Sequence, residues 1–218
     1  MKDDSKNHIH VCFIIDRSGS MYGSINDVKG GFANIIDEQK NIEEGQCSIS
    51  LWYFNGEVTN IYKGIDVREI SSTLNYDVGG STALYDGVGE AIIETKKWID
   101  SLSEDKRPSK NLIVIMTDGE ENSSIEHSSS KVKDMISKQK EEGWEFVYLG
   151  IDIENAKDAV AMGITNVGNS NRSNYGNYYN IVNASTKMYR NTGDFSAAMS
   201  AMNTSINDMT TKYSSNKV

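Results

Sequence analysis

The sequence predicts an α/β fold: an open, mostly parallel, Rossmann-like sheet with one antiparallel edge strand and helices on both faces. Three observations carry this expectation. Short apolar runs bounded by polar turns recur at 9–15 (IHVCFII), 111–116 (NLIVIM) and 146–151 (FVYLGI), the form taken by strands covered on both faces. Helix-period segments lie between them. One segment, 47–62, reads instead as a hairpin around Asn55-Gly56, the strongest short-range hairpin signal, with a type I′ turn expected.

The helical segments each show one apolar face. Residues 25–36 carry Ile25, Val28, Phe32, Ile35 and Ile36; residues 84–99 carry Leu84, Val88, Ala91, Ile92 and Ile99; residues 130–142 carry Val132, Met135 and Ile136. The hairpin strands are expected at 47–54 and 57–62. Beyond Gly163 the character changes. The stretch VGNSNRSNYGNYYN at 167–180 has no period and reads as an irregular Asn- and Tyr-rich connection. It is followed by a narrow stripe, Phe195, Met199, Met202, Ile206, Met209 and Tyr213, on a C-terminal amphipathic helix with Asp194 as its N-cap or first-turn acid. The domain reading is therefore a core over 8–165 and an appended 166–218 packed on the same domain. A self-association seam on the last helix, making a homo-oligomer, is the sharper alternative.

At 218 residues the chain supports one full-sized core. Its net charge of −9 and pI near 4.9 argue against nucleic acid or an anionic membrane as partner, since both demand clustered Lys and Arg. The two cysteines, Cys12 and Cys47, sit inside apolar runs and read as small buried hydrophobes; a disulfide requires that their strands be neighbours. The charged start MKDDSKNHIH has no signal-peptide pattern and no segment approaches membrane-spanning length. The expected setting is cytoplasmic.

In an open α/β sheet, ligands bind beyond the carboxyl ends of the strands. Asp16 ends the first apolar run and Asp118 follows the 111–116 run, so both carboxylates fall at one edge. The loop after Asp16 supplies Ser18 and Ser20, and GGSTALYDG at 79–87 supplies Ser81 and Thr82. Two carboxylates among hydroxyls make an all-oxygen set suited to a hard divalent cation such as Mg²⁺ or Mn²⁺. Asp86 reads as a loop-fixing acid, Glu120 and Glu121 as solvated loop residues, and His127 as a surface histidine.

DRSGSM (16–21), GGSTALYDG (79–87) and MTDGEEN (116–122), in that order and in this α/β context, resemble the von Willebrand factor A domain and its metal-ion-dependent adhesion site (MIDAS), over roughly residues 8–165. The resemblance implies a metal set of Asp16, Ser18, Ser20, Thr82 and Asp118. Ser18 and Ser20 would ligate directly, Thr82 directly or through water, and the two aspartates mostly through bridging waters. With few direct anionic ligands the cation stays electrophilic, and an open position is best filled by an Asp or Glu from a protein partner. Mg²⁺ leads as the cofactor, with Mn²⁺ and Ca²⁺ open. Among family members, the stand-alone intracellular prokaryotic or phage type is the one expected.

Other chemistries fit poorly. A phosphoryl-transferring aspartate enzyme wants a second carboxylate where Ser18 stands. There is no G-x-x-x-x-G-K-[ST] loop, and Ile92 occupies the third-glycine position after Gly87-x-Gly89. The three histidines, His8, His10 and His127, offer no obvious base for a nucleophilic serine, and no zinc spacing is present. The expectation is a binding module rather than an enzyme. The alternative is a scaffold or oligomeric structural subunit that binds metal for stability only.

Overall fold

The computed structural model describes residues 7–151, 157–170 and 176–215. In chain order the elements are β1 (His8–Asp16), α1 (Ile25–Lys40), β2 (Gln46–Phe54), β3 (Val58–Asp66), α2 (Leu84–Ser101), β4 (Lys110–Thr117), α3 (Ser129–Glu141), β5 (Trp144–Ile151), α4 (Lys157–Ala161), β6 (Asn166–Ser170), α5 (Gly176–Thr192) and α6 (Phe195–Ser215). The sheet order is β3-β2-β1-β4-β5-β6. All pairings are parallel except β2 with β3, which places the antiparallel strand at one edge.

Alternation along β1 divides the core. Ile9, Val11, Phe13 and Ile15 join the cluster under α1, α5 and α6, whereas Cys12 and Ile14 join the cluster under α2, α3 and α4. All nine residues of β1 are buried, which explains why it reads as a continuous apolar run rather than an alternating one. Cys12 and Cys47 are both buried and free. Their strands are neighbours, but Cys47 pairs in register with Ile9 and Cys12 with Ser50, and the two point to opposite faces, so no disulfide can form.

Two expectations change. The hairpin is present, but its turn is not type I′: Gly56 is absent from the positive-φ glycines. Instead the Glu57 N–H donates to Asn55 Oδ1 at 3.0 Å, an Asx turn that closes the connection through a side chain. The irregular connection expected over 167–180 is structured where it is described. Residues 166–170 form the outer parallel strand β6, and helix α5 begins at Gly176; residues 171–175 of that stretch lie outside the described residues. The helix escapes a hydropathy reading because its buried face is built from Tyr178, Tyr179, Asn183, Ser185, Thr186, Tyr189 and Arg190, with Val182 the one aliphatic.

The stripe on α6 faces inward. Phe195, Ala198, Met199, Met202 and Ile206 are buried in the α1/α5 layer, and the Ala197 N–H donates to Asp194 Oδ1 at 2.9 Å as the capping reading expects. The seam from Phe195 to Ile206 is thus consumed within the chain's own core, with Met209 partly buried against it; the Tyr213 side chain lies outside the described residues. No described helix is long and apolar enough to cross a membrane.

Candidate metal centre

The strand order reverses between β1 and β4: β1 is followed by α1 on one face of the sheet and β4 by α3 on the other, the place where open α/β sheets bind ligands. Asp16 and Asp118 stand at the carboxyl ends of these two strands.

Asp16 is fully buried at the end of β1. Its Oδ1 accepts from the Ser18 N–H at 2.6 Å, and its Oδ2 accepts from Thr117 Oγ1 at 2.6 Å. The Tyr76 hydroxyl donates to its carbonyl oxygen. Burial pushes the carboxyl up to about 6, with the nearby Asp118 charge adding to the rise against the hydrogen bonds from Thr117 and Ser18. The side chain is held rigid in a site that disfavours uncompensated negative charge.

From Asp16 the site runs outward through short contacts. Ser18, also buried, has its Oγ 3.0 Å from Ser20 Oγ, and Ser20 Oγ donates to Asp118 Oδ1 at 2.5 Å. Thr82 arrives from the loop before α2. A β-carbon built on Gly119 would lie 3.3 Å from Thr82 Oγ1, 3.5 Å from Ser20 Oγ and 3.7 Å from Asp16 Oδ2. Oxygens from the β1–α1 loop and from the loop before α2 thus converge beside the backbone of a third loop, which has no side chain at Gly119 to fill the space. All five residues singled out from the sequence meet here, Ser18 and Asp118 through Ser20.

Backbone hydrogen bonds stitch the contributing loops together. Gly19 N–H donates to Gly80 O at 3.2 Å, Gly79 N–H to Arg17 O at 2.8 Å, Arg17 N–H to Phe54 O at 2.7 Å and Ala83 N–H to Asn55 O at 2.6 Å. Asn55 Nδ2 adds a bond to Gly79 O at 2.8 Å. The hairpin tip therefore serves as a brace for both hydroxyl-bearing loops.

A supporting layer of side chains holds the loops that carry these donors. Asp86 accepts from the N–H groups of Ile125, Glu126 and His127 at 2.7–3.0 Å, the loop-fixing role expected of it. Glu121, by contrast, is not a solvated residue: its carboxylate accepts from Ser123 N–H, Ser124 N–H, Ser124 Oγ and Tyr85 N–H at 2.6–3.1 Å. Glu120 is exposed, 3.8 Å from Lys157. His127 is half-buried, its ring against Gly89 of α2. Asn122 escaped notice. Its Oδ1 accepts from Thr82 N–H at 2.9 Å and its N–H donates to Thr82 O at 3.0 Å, a two-point clamp that positions the threonine. Such a pair, forty residues apart, leaves no local signal.

Among the described residues no three of His, Cys, Asp and Glu gather as a metal-binding group. The donor chemistry here is two carboxylates with three hydroxyls, which fits a hard divalent cation and gives a soft one little.

The von Willebrand factor type A domain family matches residues 10–191. No curated protein matches the chain. Solved structures with a similar fold include proximal thread matrix protein 1 from the mussel byssus, with a zinc-occupied MIDAS motif (16% identity, TM-score 0.58, 83% of this chain and 45% of that one). They also include the pilus adhesin SpaC from Lactobacillus rhamnosus GG (13%, TM-score 0.64, 84% and 30%) and the vWF domain of the type V pili tip protein Mfa5 from Porphyromonas gingivalis (10%, TM-score 0.61, 85% and 97%). The chain spans less than half the length of the first two and nearly all of the third. At these identities the likeness is one of fold.

Proposed function

The chain belongs to the von Willebrand factor type A domain family, and from that premise we propose that it is a metal-dependent protein-binding module, not a catalyst. In this reading Asp16, Ser18, Ser20, Thr82 and Asp118 hold a divalent cation, Mg²⁺ foremost, and an Asp or Glu of a protein partner completes its coordination. The observation that carries it is the convergence of Thr82 Oγ1, Ser20 Oγ and Asp16 Oδ2 on the open space beside Gly119. A cation there would supply the positive charge that the buried Asp16 carboxylate and its neighbour Asp118 lack.

The chain's own residues do the positioning. Thr117 and the Ser18 N–H fix both oxygens of Asp16. Asn122 fixes Thr82, and Glu121 and Asp86 hold the loop that carries Asp118 and Asn122. Since three of the five donors are neutral hydroxyls, the cation would keep most of its charge for an external carboxylate. A cytoplasmic setting is also proposed, on the absence of a signal-peptide pattern in the charged stretch MKDDSKNHIH.

The test measures Mg²⁺ and Mn²⁺ binding by calorimetry, together with capture of partners from extract in Mg²⁺ and in chelator, for the wild type and for a folded Ser18→Ala/Ser20→Ala variant. Metal binding and a metal-dependent partner are expected in the wild type alone. Partners retained equally with chelator and by the variant would place recognition on another surface. Metal binding that raises stability while capturing no metal-dependent partner would favour a scaffold role.

A further inference from the structure

At the tip of the β2–β3 hairpin Asn55 stands before Gly56, and the chain contains no other Asn-Gly dipeptide. Asparagine is thermolabile in this setting. The next amide nitrogen can attack the side-chain carbonyl, and glycine brings no β-carbon to shield that nitrogen. The fold leaves this reaction open. Gly56 is exposed, and its N–H makes no hydrogen bond among the described residues. The half-buried Asn55 amide is fixed at both ends, its Oδ1 accepting from Glu57 N–H at 3.0 Å and its Nδ2 donating to Gly79 O at 2.8 Å. The Glu57 N–H therefore already sits on the oxygen that gains negative charge when the carbonyl is attacked.

The partners of Asn55 make the position consequential. Its main-chain carbonyl accepts from Ala83 N–H at 2.6 Å, so one residue holds the 79–83 loop on either side of Thr82, by side chain at Gly79 and by main chain at Ala83. That loop is tied in turn to the serine-bearing loop, through Gly19 N–H to Gly80 O and Gly79 N–H to Arg17 O.

We propose that Asn55 is a site of spontaneous covalent modification, where deamidation releases the brace on Thr82 and weakens the metal centre. In the first step the Gly56 nitrogen bonds to Asn55 Cγ, the Cγ–Nδ2 bond breaks, and the Gly56 amide proton leaves with the nitrogen as ammonia. Water then opens the cyclic imide at either carbonyl, giving aspartate or isoaspartate with no change of oxidation state. Both products lack the Nδ2–H that Gly79 O accepts. Isoaspartate also lengthens the hairpin backbone by a methylene and turns the carbonyl facing Ala83 N–H into a free carboxylate. The added charge sits on a solvated hairpin tip, where salt screens its pull on a cation. The covalent step stands on the hairpin alone, whereas its effect on the cation rests on the metal-dependent function proposed above.

The experiment ages full-length wild type and a Gly56→Ala variant at mildly alkaline pH. The β-carbon of the variant meets only Ser81 Oγ, at 3.0 Å and on an exposed side chain, so the hairpin is kept. Peptide mapping, with isoaspartyl methyltransferase reporting isoaspartate, is expected to find both products at residue 55 of the wild type and almost none in Gly56→Ala. Mg²⁺ calorimetry on aged and unaged wild type, separated by charge, is expected to show affinity about tenfold weaker after ageing. An intact Asn55, aspartate without isoaspartate, or equal conversion in Gly56→Ala overturns the imide step. Equal Mg²⁺ affinity in the two fractions overturns the brace. Unaged protein that binds no Mg²⁺ sinks the metal-dependent function and the affinity effect with it, while the products at residue 55 still decide the covalent step.

Discussion

Arg190 places a guanidinium in the interior of the fold. It is fully buried, and its guanidinium donates to Gln39 O at 2.7 Å, Gln39 Oε1 at 2.9 Å, Ile42 O at 3.0 Å and Gly45 O at 3.2 Å. These acceptors are the Gln39 carbonyl in the last turn of α1, the Gln39 side-chain amide, and two carbonyls of the connection that follows the helix, a helix end where the dipole also favours a cation. Burial lowers the guanidinium below its ordinary value but leaves it charged. Arg190→Met should therefore cost about 3 kcal/mol or more, because several buried carbonyls lose their donors at once. Arg190→Lys should recover only part, since an ammonium cannot span the same fork. Urea unfolding of the three proteins checks this; a midpoint unchanged in Arg190→Met would mean that water replaces the guanidinium. At this scale the sequence was legible where chemistry is local. Asp16, Ser18 and Ser20 lie within five residues and announce themselves, whereas Arg190 and Asn122 act on partners brought to them only by the fold.

Elements were legible to the extent that their burial is apolar. β1, β4 and β5 are enclosed on both faces and so appear as unbroken hydrophobic runs, and α1, α2 and α3 show their inward stripe at helical period. β6 is a five-residue edge strand that needs few apolar residues, and α5 packs through tyrosines and hydrogen-bonded polar groups, among them Gln39 Nε2 to Asn183 Oδ1 at 2.7 Å. Neither leaves a hydropathy trace. The contact between α1 and α5 also gives Gly31 its meaning. A β-carbon at this position would lie 2.1 Å from Tyr179 Cδ2, and Tyr179 is itself fully buried, stacked on Phe13 at 6.5 Å between centroids. Alanine is intrinsically better than glycine inside a helix by about 1 kcal/mol, so a merely permissive site would be stabilised by Gly31→Ala. Overpacking is expected to win here, giving a net loss of about 2 kcal/mol. A denaturation midpoint lowered in Gly31→Ala and largely restored in Gly31→Ala/Tyr179→Leu would confirm the clash; a raised midpoint would refute it.

For the molecule as a whole, the two edges of the sheet respond to acid in opposite senses. At the amino edge, His8 and His10 are buried around one hydroxyl, with Ser48 Oγ 2.9 Å from His8 Nε2 and 3.0 Å from His10 Nδ1, and His10 packs on Trp98 at 4.6 Å. Desolvation lowers His8 to about 4 and His10 to about 3 from 6.5, His8 partly restored by Asp66 and opposed by Arg190. Below pH 6.5 the unfolded chain takes up these two protons and the folded chain does not, so stability is complete above 6.5 and declines as pH falls toward 4. At the carboxyl edge, Asp16 is raised to about 6, so without metal the folded chain takes up one proton before the unfolded chain does. That proton offsets one of the two histidines between pH 6 and 4. The balance is about one proton, or roughly 1.4 kcal/mol lost per pH unit over that window. His10→Gln removes one destabilising proton and should leave the profile nearly flat between pH 6 and 4, even if its stability at pH 7 is lower. Urea midpoints of metal-free wild type and His10→Gln at half-unit steps from pH 7 to 4 test this. Parallel profiles would show that His10 is protonated in the folded protein, and the burial argument at the amino edge would fail.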